Sequence, residues 1–237
     1  MAATATKKKL RTSDFTESAL WLNGSKFSLA DYPHMRTIYN SPYRDIVMQF
    51  SRQTSKSTTL ANMMIAHSAM IPGFKTMYVS PTVDQTKVFS HDRVAPVIES
   101  SPYIKLKYLN SQLVQNVFMK QFINGSKMYL RYALLNADRL RGYSTDYNMY
   151  DETQDLMADI IPVSNQSMSR SMYKKTLFAG TPKRTRGTLA DIYNNSTQNE
   201  WVVKCHHTGC KRWNELAEEN VGDHGTICRY CGKSLNT

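Results

Sequence analysis

Short apolar runs alternating with helical stretches between Asp45 and Pro182 predict an α/β fold: a mainly parallel sheet with helices on both faces. Three observations carry this expectation. Runs such as DIVMQF, KTMYVS and KKTLFAG have strand length, and loop-forming residues bound them. Stretches with apolar residues near helical spacing lie between most of them. Hydrophobic residues make up 41% of the 237, enough to bury the core of one ordinary domain with a small appendage.

In chain order, a short helix is expected over 32–39 and a strand over 45–50. A Ser/Thr-rich loop follows, then the helix TTLANMMIAHSAM, which Pro72 and Gly73 close. KTMYVSP reads as a second strand. Thr82 and Gln85 form a capping-box pattern that opens a helix over 82–100, with a bend expected at Pro96. LVQNVFMKQFINGSKMYLRYAL reads as a hairpin about Asn124-Gly125, and DYNMYDE and KKTLFAGTP as two more strands with a helical stretch between. No internal repeat or low-complexity segment interrupts the chain. The expected organisation is a basic N-terminal tail over 1–26, a main domain over 27–198 and a cysteine-bearing module over 199–237.

Lys and Arg number 30 against 19 acidic residues, a formal charge of +11 that favours a polyanionic partner such as nucleic acid. No run of about 18 apolar residues suggests a membrane span. The basic patch of MAATATKKKLR has no apolar segment behind it, so it does not read as a signal peptide. All four cysteines fall in the last 33 residues, a distribution unlike a disulfide-stapled secreted protein, and the expectation is a cytosolic one.

QFSRQTSKSTT, from Gln49 to Thr59, carries the lysine and serine of a phosphate-binding loop without its glycines. The usual pattern is G-x-x-x-x-G-K-[ST], in which backbone N–H groups wrap phosphates. Aligned on Lys56-Ser57, its glycine positions hold Phe50 and Ser55. The bland reading is a Ser/Thr turn capping a helix. The setting favours phosphate, because the loop leaves an apolar strand and opens an apolar helix. Ser51, Arg52, Gln53, Thr54, Ser55, Lys56, Ser57 and Thr58 are then the nucleotide-binding candidates.

An acid-tipped apolar strand should complete such a site, and NMYDE supplies it. Asp151 is expected to hold the hydration shell of Mg2+, Ser57 to contact the ion, and Glu152 to activate the attacking water. A solvated helix-capping pair is the alternative for these acids. One strand on, Gly180, Thr181 and Pro182 mark either a simple turn or an element that senses phosphate and couples hydrolysis to movement. Arg52 and Arg141 are candidates to neutralise transition-state charge, as one arginine per site suffices.

CHHTGC and CRYC place two close cysteine pairs 17 residues apart. That spacing suits a structural Zn2+ held by Cys205, Cys210, Cys228 and Cys231; two disulfides, or His206 or His207 in place of Cys205, are the alternatives.

Taken together these motifs resemble the ATPase domain of the large terminase subunit, the DNA-packaging motor of tailed bacteriophages. SRQTSKSTT is similar to that family's S-R-Q-x-G-K-T-T loop, RLRGYSTDYNMYDE to its R-G segment and acidic strand, and FAGTP to its coupling motif. VSPTVDQTKVFSHDRVAPVIESSP looks closest to the lambda-like branch, in which a zinc-binding segment follows the ATPase core. The resemblance covers about residues 27–231. It implies a P-loop NTPase sheet of the RecA/ASCE type and a Mg2+-dependent ATPase that moves double-stranded DNA into a procapsid. It also implies a ring homo-oligomer, a portal ring, a small terminase subunit and a nuclease-bearing chain as partners, and action in the host cytoplasm during virion assembly. Arg52 matches the family's loop arginine, and Arg141 an arginine that reaches a neighbouring subunit. Ser55 departs from the pattern, since a serine at φ > 0 costs roughly 1 kcal/mol. No acidic cluster of a nuclease precedes Thr237, so nuclease activity is not expected of these residues. A helicase-like translocase, or a zinc-ribbon DNA-binding protein with a degenerate nucleotide site, would carry some of the same features.

Overall fold

The computed structural model describes residues 10–135 and 137–235. Chain contacts divide the described residues into two compact units, with the boundary between Ser196 and Thr197. The first unit opens with α1 (Thr12–Ala19) and a tight hairpin of β1 (Trp21–Leu22) and β2 (Ser25–Lys26), turned at Asn23-Gly24, both at positive φ.

These elements correct the expected tail over 1–26, of which residues 1–9 lie outside the described residues. Phe15, Ala19 and Leu20 are buried in the main core. Phe15 and Ala19 stand four apart and share one helix face, a spacing that the neighbouring basic patch obscured. Glu17 ties the segment down further, accepting from the Leu29 N–H at 2.9 Å and pairing with Arg36 at 2.8 Å.

There follow α2 (Met35–Tyr39), β3 (Asp45–Gln49), α3 (Lys56–Met70) and β4 (Lys75–Ser80). The capping box forms as the sequence predicts: the Gln85 N–H donates to Thr82 Oγ1, and Gln85 Oε1 accepts from the Thr82 N–H. It opens α4 (Val83–Val88), which runs through a π-helical segment, Phe89–Val94, into α5 (Ala95–Ser100). The helix expected over 82–100 is thus interrupted by a π-helical segment just ahead of Pro96. Pro96 has no N–H to give, and the Ala95 N–H reaches back five residues to the Ser90 carbonyl.

Next come α6 (Pro102–Tyr108), β5 (Gln115–Asn116), β6 (Met119–Gln121) and β7 (Lys127–Tyr132). β6 and β7 pair antiparallel across Asn124-Gly125, with Gly125 at φ 83°. Then follow β8 (Tyr147–Tyr150), α7 (Ile160–Asn165), β9 (Lys175–Gly180) and α8 (Thr188–Asn194).

The seven-stranded sheet has the order β3-β9-β8-β4-β7-β6-β5. Its first five strands are parallel and the last two antiparallel. Side chains alternate between two cores, as period two requires. Met48, Tyr78, Met149, Leu177 and Ala179 meet α1, α3 and the π-helical segment. Met77, Val79, Tyr150 and Phe178 meet Leu156 and Ile160 on the other face. Burial on both faces explains why the strands read as nearly continuous apolar runs.

The second unit holds two small antiparallel pairs, β10 (Val202–Lys204) with β11 (Trp213–Glu215) and β12 (Val221–Gly222) with β13 (Gly225–Thr226). No helix among the described residues is long and apolar enough to cross a membrane.

Candidate functional site

β9 lies between β3 and β8, and all three run the same way, so their C-terminal ends share one edge of the sheet. That edge collects the loop after β3, the acids after β8 and Gly180-Thr181 at the end of β9. Parallel α/β sheets offer their ligand crevice at such an edge.

The loop curls through two left-handed residues, Gln53 (φ 61°) and Ser55 (φ 60°, ψ 18°). A side chain in this region costs of order 1–2 kcal/mol per residue, so the surrounding structure must hold the curl against its local preference. Arg52 and Gln53 are exposed, Thr58 is half-buried, and Thr54 Oγ1 donates to the Ser51 carbonyl at 2.8 Å.

Lys56, the first residue of α3, is buried. Its ammonium donates to the Phe50 carbonyl at 3.2 Å, the Ser51 carbonyl at 2.5 Å and Thr181 Oγ1 at 3.1 Å. Burial pulls its pKa below the ordinary lysine value, Glu152 and Asp151 oppose the shift, and the Arg52 charge adds to it.

Ser57 Oγ donates to Asp151 Oδ2 at 2.9 Å, joining residues 94 apart in the chain. Tyr78 OH donates to the same oxygen at 3.2 Å, and the Glu152 N–H to Asp151 Oδ1 at 3.1 Å. Tyr78 is held by Phe89, stacked at 3.7 Å between ring centroids and 6° between planes. Asp151 is 4% exposed, and burial pushes its carboxyl up to about 6 even though Ser57 donates to it. A buried carboxylate beside a hydroxyl is a pair of hard oxygen donors, and a divalent cation there would favour the charged form.

A stability prediction arises directly. Between about pH 4 and pH 6 the folded chain binds a proton at Asp151 that the unfolded chain has released. Stability therefore falls as pH rises through this window, by an amount of order 3 kcal/mol without a cation. Asp151→Asn is expected to raise the thermal midpoint at about pH 7.5 by about 5–10 °C in chelator and to flatten the slope in that window. Thermal denaturation at stepped pH measures it. A variant midpoint at or below that of the parent would contradict the assignment of burial as the cause.

Glu152 sits in the left-handed region (φ 47°, ψ 43°), just beyond β8, and is half-buried. Its Oε2 accepts from Gln154 Nε2 at 2.5 Å, while Gln154 Oε1 accepts the Thr181 N–H at 3.1 Å. Gly180 is packed so closely that a Cβ there would lie 2.3 Å from Gln154 Oε1. Pro182 is exposed at the start of the basic segment KRTR.

Among the sequence candidates, Lys56, Ser57, Asp151, Glu152 and Thr181 thus join one bonded cluster. Arg141 does not enter it among the described residues. It is exposed, following the short turn Asp138–Leu140, and pairs with Asp138 at 3.4 Å. Tyr78 and Gln154 escaped the sequence reading. A buried tyrosine on a central strand needs a partner for its hydroxyl, which was the available signal for Tyr78. The proximity of Gln154 to the acidic pair in DETQ was the signal for Gln154.

In the second unit the thiol sulfurs of Cys205, Cys210, Cys228 and Cys231 all lie within 4.8 Å of one another. None is in a disulfide. Two separations, Cys205–Cys231 at 3.8 Å and Cys210–Cys228 at 3.7 Å, match the edge of about 3.8 Å expected of a tetrahedron with 2.3 Å metal–sulfur bonds. The residues present therefore fit a four-thiolate metal centre. His207 hydrogen-bonds the Ser234 carbonyl at 3.1 Å, and the clustered group is the four cysteines. Two buried amides brace the frame: Asn220 Nδ2 donates to Asn214 Oδ1 at 3.1 Å, and that oxygen also accepts the Arg229 N–H at 3.0 Å.

Comparison with known proteins bears on both units. The family described as phage terminase large subunit gpA, ATPase domain, matches residues 26–236. No curated protein matches the sequence. Among solved structures, the HK97 bacteriophage large terminase superposes with a TM-score of 0.66 at 11% identity, covering 79% of this chain and 41% of that one. The ATPase domain of the Thermus phage P74-26 large terminase gives 0.62 at 17% identity, covering 81% and 78%. The chain thus spans well under half of the HK97 protein, and at these identities the likeness is one of fold. Because the family match runs across most of its length, the chain belongs to the phage terminase large subunit gpA ATPase-domain family.

Proposed function

We propose that this chain is the Mg2+-dependent ATPase motor of a packaging terminase, hydrolysing ATP to drive double-stranded DNA into a procapsid. The observation that carries the reading is the Ser57–Asp151 hydrogen bond at 2.9 Å, which unites the phosphate-loop serine with the acid of a distant strand. Lys56 and the amides of residues 51–58 bind the phosphates, and Ser57 and Asp151 hold Mg2+. The ion, when bound, neutralises charge on the phosphate oxygens. Glu152 orients the attacking water and takes its proton. An arginine neutralises the transition state, the candidates being Arg52 from the loop and Arg141 from a neighbouring subunit. Gly180, Thr181 and Pro182 transmit the phosphate state, and Zn2+ on the four cysteines folds the second unit.

The charge of +11 supports a grip on DNA phosphates without sequence readout. The reading includes a ring of subunits acting in the host cytoplasm with a portal ring, a small terminase subunit and a nuclease-bearing chain. Lys56→Ala tests the site: nucleotide titration should show ATP affinity reduced by ~10–100-fold, the loss of charge-assisted hydrogen bonds. Unchanged affinity would refute the phosphate-loop assignment.

A further inference from the structure

Gln154 belongs to none of the motifs, yet it occupies the junction between the acidic strand and the end of β9. Its Nε2 donates to Glu152 Oε2 at 2.5 Å and to Asp155 Oδ2 at 3.3 Å, and its Oε1 accepts the Thr181 N–H at 3.1 Å. The orientation of the amide follows from its partners. Two carboxylates only accept and a backbone N–H only donates, so the nitrogen must face the acids and the oxygen must face Thr181.

Thr181 is in turn an acceptor for the Lys56 ammonium at 3.1 Å. One side chain therefore lies between Glu152 and the residue that Lys56 touches. Asp155 is already engaged by Lys183 at 2.7 Å, which leaves the Glu152 bond as the shorter of the two made by Nε2. The rest of the junction is tight: an added Cβ at Gly180 would meet Gln154 Oε1 at 2.3 Å and Leu189 Cδ2 at 2.7 Å.

We infer that Gln154 is a positioning residue that fixes the Glu152 carboxylate against the end of β9, so that its orientation follows Thr181 and, through Thr181, the engagement of Lys56. The inference rests on the reading of Glu152 as the water-activating carboxylate. Glu152 leaves β8 in a left-handed conformation, which sets where its side chain starts but not its far end. The Gln154 amide supplies that second anchor. Its bond to a backbone N–H means that a shift of Thr181 moves the carboxylate as well. Without the amide the carboxylate keeps its charge but loses its aim, and a displacement of about 1 Å can cost ~100-fold in rate.

The test compares steady-state ATP hydrolysis by the full chain with that of Gln154→Met, Gln154→Glu and Gly180→Ala. Gln154→Met keeps the length and removes all three hydrogen bonds of the amide. Gln154→Glu keeps the shape but turns the donor to Glu152 into a repelling charge. Gly180→Ala leaves Gln154 in the chain and displaces it. All three are expected to lower kcat ~10–100-fold while KM for ATP changes less than about twofold. The two Gln154 variants should keep thermal midpoints near that of the parent, whereas the overpacked Gly180→Ala should melt lower. A kcat within about twofold of the parent for Gln154→Met and Gln154→Glu overturns the inference. So does a loss of rate matched by an equal rise in KM, which would mark Gln154 as part of nucleotide binding. Glu152→Gln separates this from the underlying reading. If that variant is inactive while the Gln154 variants are not, only the positioning role fails; if Glu152→Gln hydrolyses normally, the reading of Glu152 fails with it.

Discussion

Glu152→Gln is expected to bind ATP as the parent does and to lose turnover by ~10²–10⁴-fold, the contribution typical of a positioned general base. The substitution is nearly isosteric. The new side chain still offers an oxygen to Gln154 Nε2, and the Glu152 N–H still donates to Asp151 Oδ1. The Ser57–Asp151 pair and the Lys56 contacts are untouched, so binding and chemistry should separate cleanly. Fluorescent-nucleotide titration reports the first and steady-state phosphate release the second. Full hydrolysis by this variant would remove Glu152 from the mechanism, and a large loss of affinity would mean that it holds nucleotide instead of water.

The second large effect concerns the cysteine cluster. Stripping the metal with a strong chelator, or replacing Cys228 with Ser, is expected to unfold residues 197–235 cooperatively. The apolar core of this unit consists of little more than Cys205, Cys228 and Leu235, with Val203 and Cys210 against them. A unit of about forty residues with so small a core lacks the burial needed to stand alone. Metal binding in such modules is folding free energy, of order 10–16 kcal/mol in zinc-finger peptides. Trp201 and Trp213 lie in this unit and are both partly exposed, so emission should shift further to the red and limited proteolysis should begin there. Metal analysis should find one zinc per chain, lost on chelation. A preparation that carries no metal yet resists proteolysis over 197–235 would rule out the four-thiolate centre.

Much of this architecture was legible beforehand because the relevant signals are local. Strand-length apolar runs, the Thr82–Gln85 capping box and the Asn124-Gly125 turn each act within a few residues, and each appears where the pattern places it. The N-terminal helix was not legible. Phe15 and Ala19 gain their meaning from a core formed by residues far along the chain, while the adjacent lysines suggested a solvated tail. The π-helical segment was likewise hidden, since a proline announces a missing hydrogen bond but not how the preceding turn absorbs it.

The sequence by itself determined the chemistry available here: a lysine–serine turn opening a helix, an acid pair closing a strand, and two cysteine pairs at metal-binding spacing. Only the tertiary structure decided which of these groups meet, because parallel strands bring distant segments to one sheet edge in an order that local patterns do not encode. Inserting β9 between β3 and β8 puts Thr181 against both Lys56 and Gln154. Burial of that same edge then shifts Asp151 toward its neutral form, a consequence of desolvation that no residue carries in its identity alone.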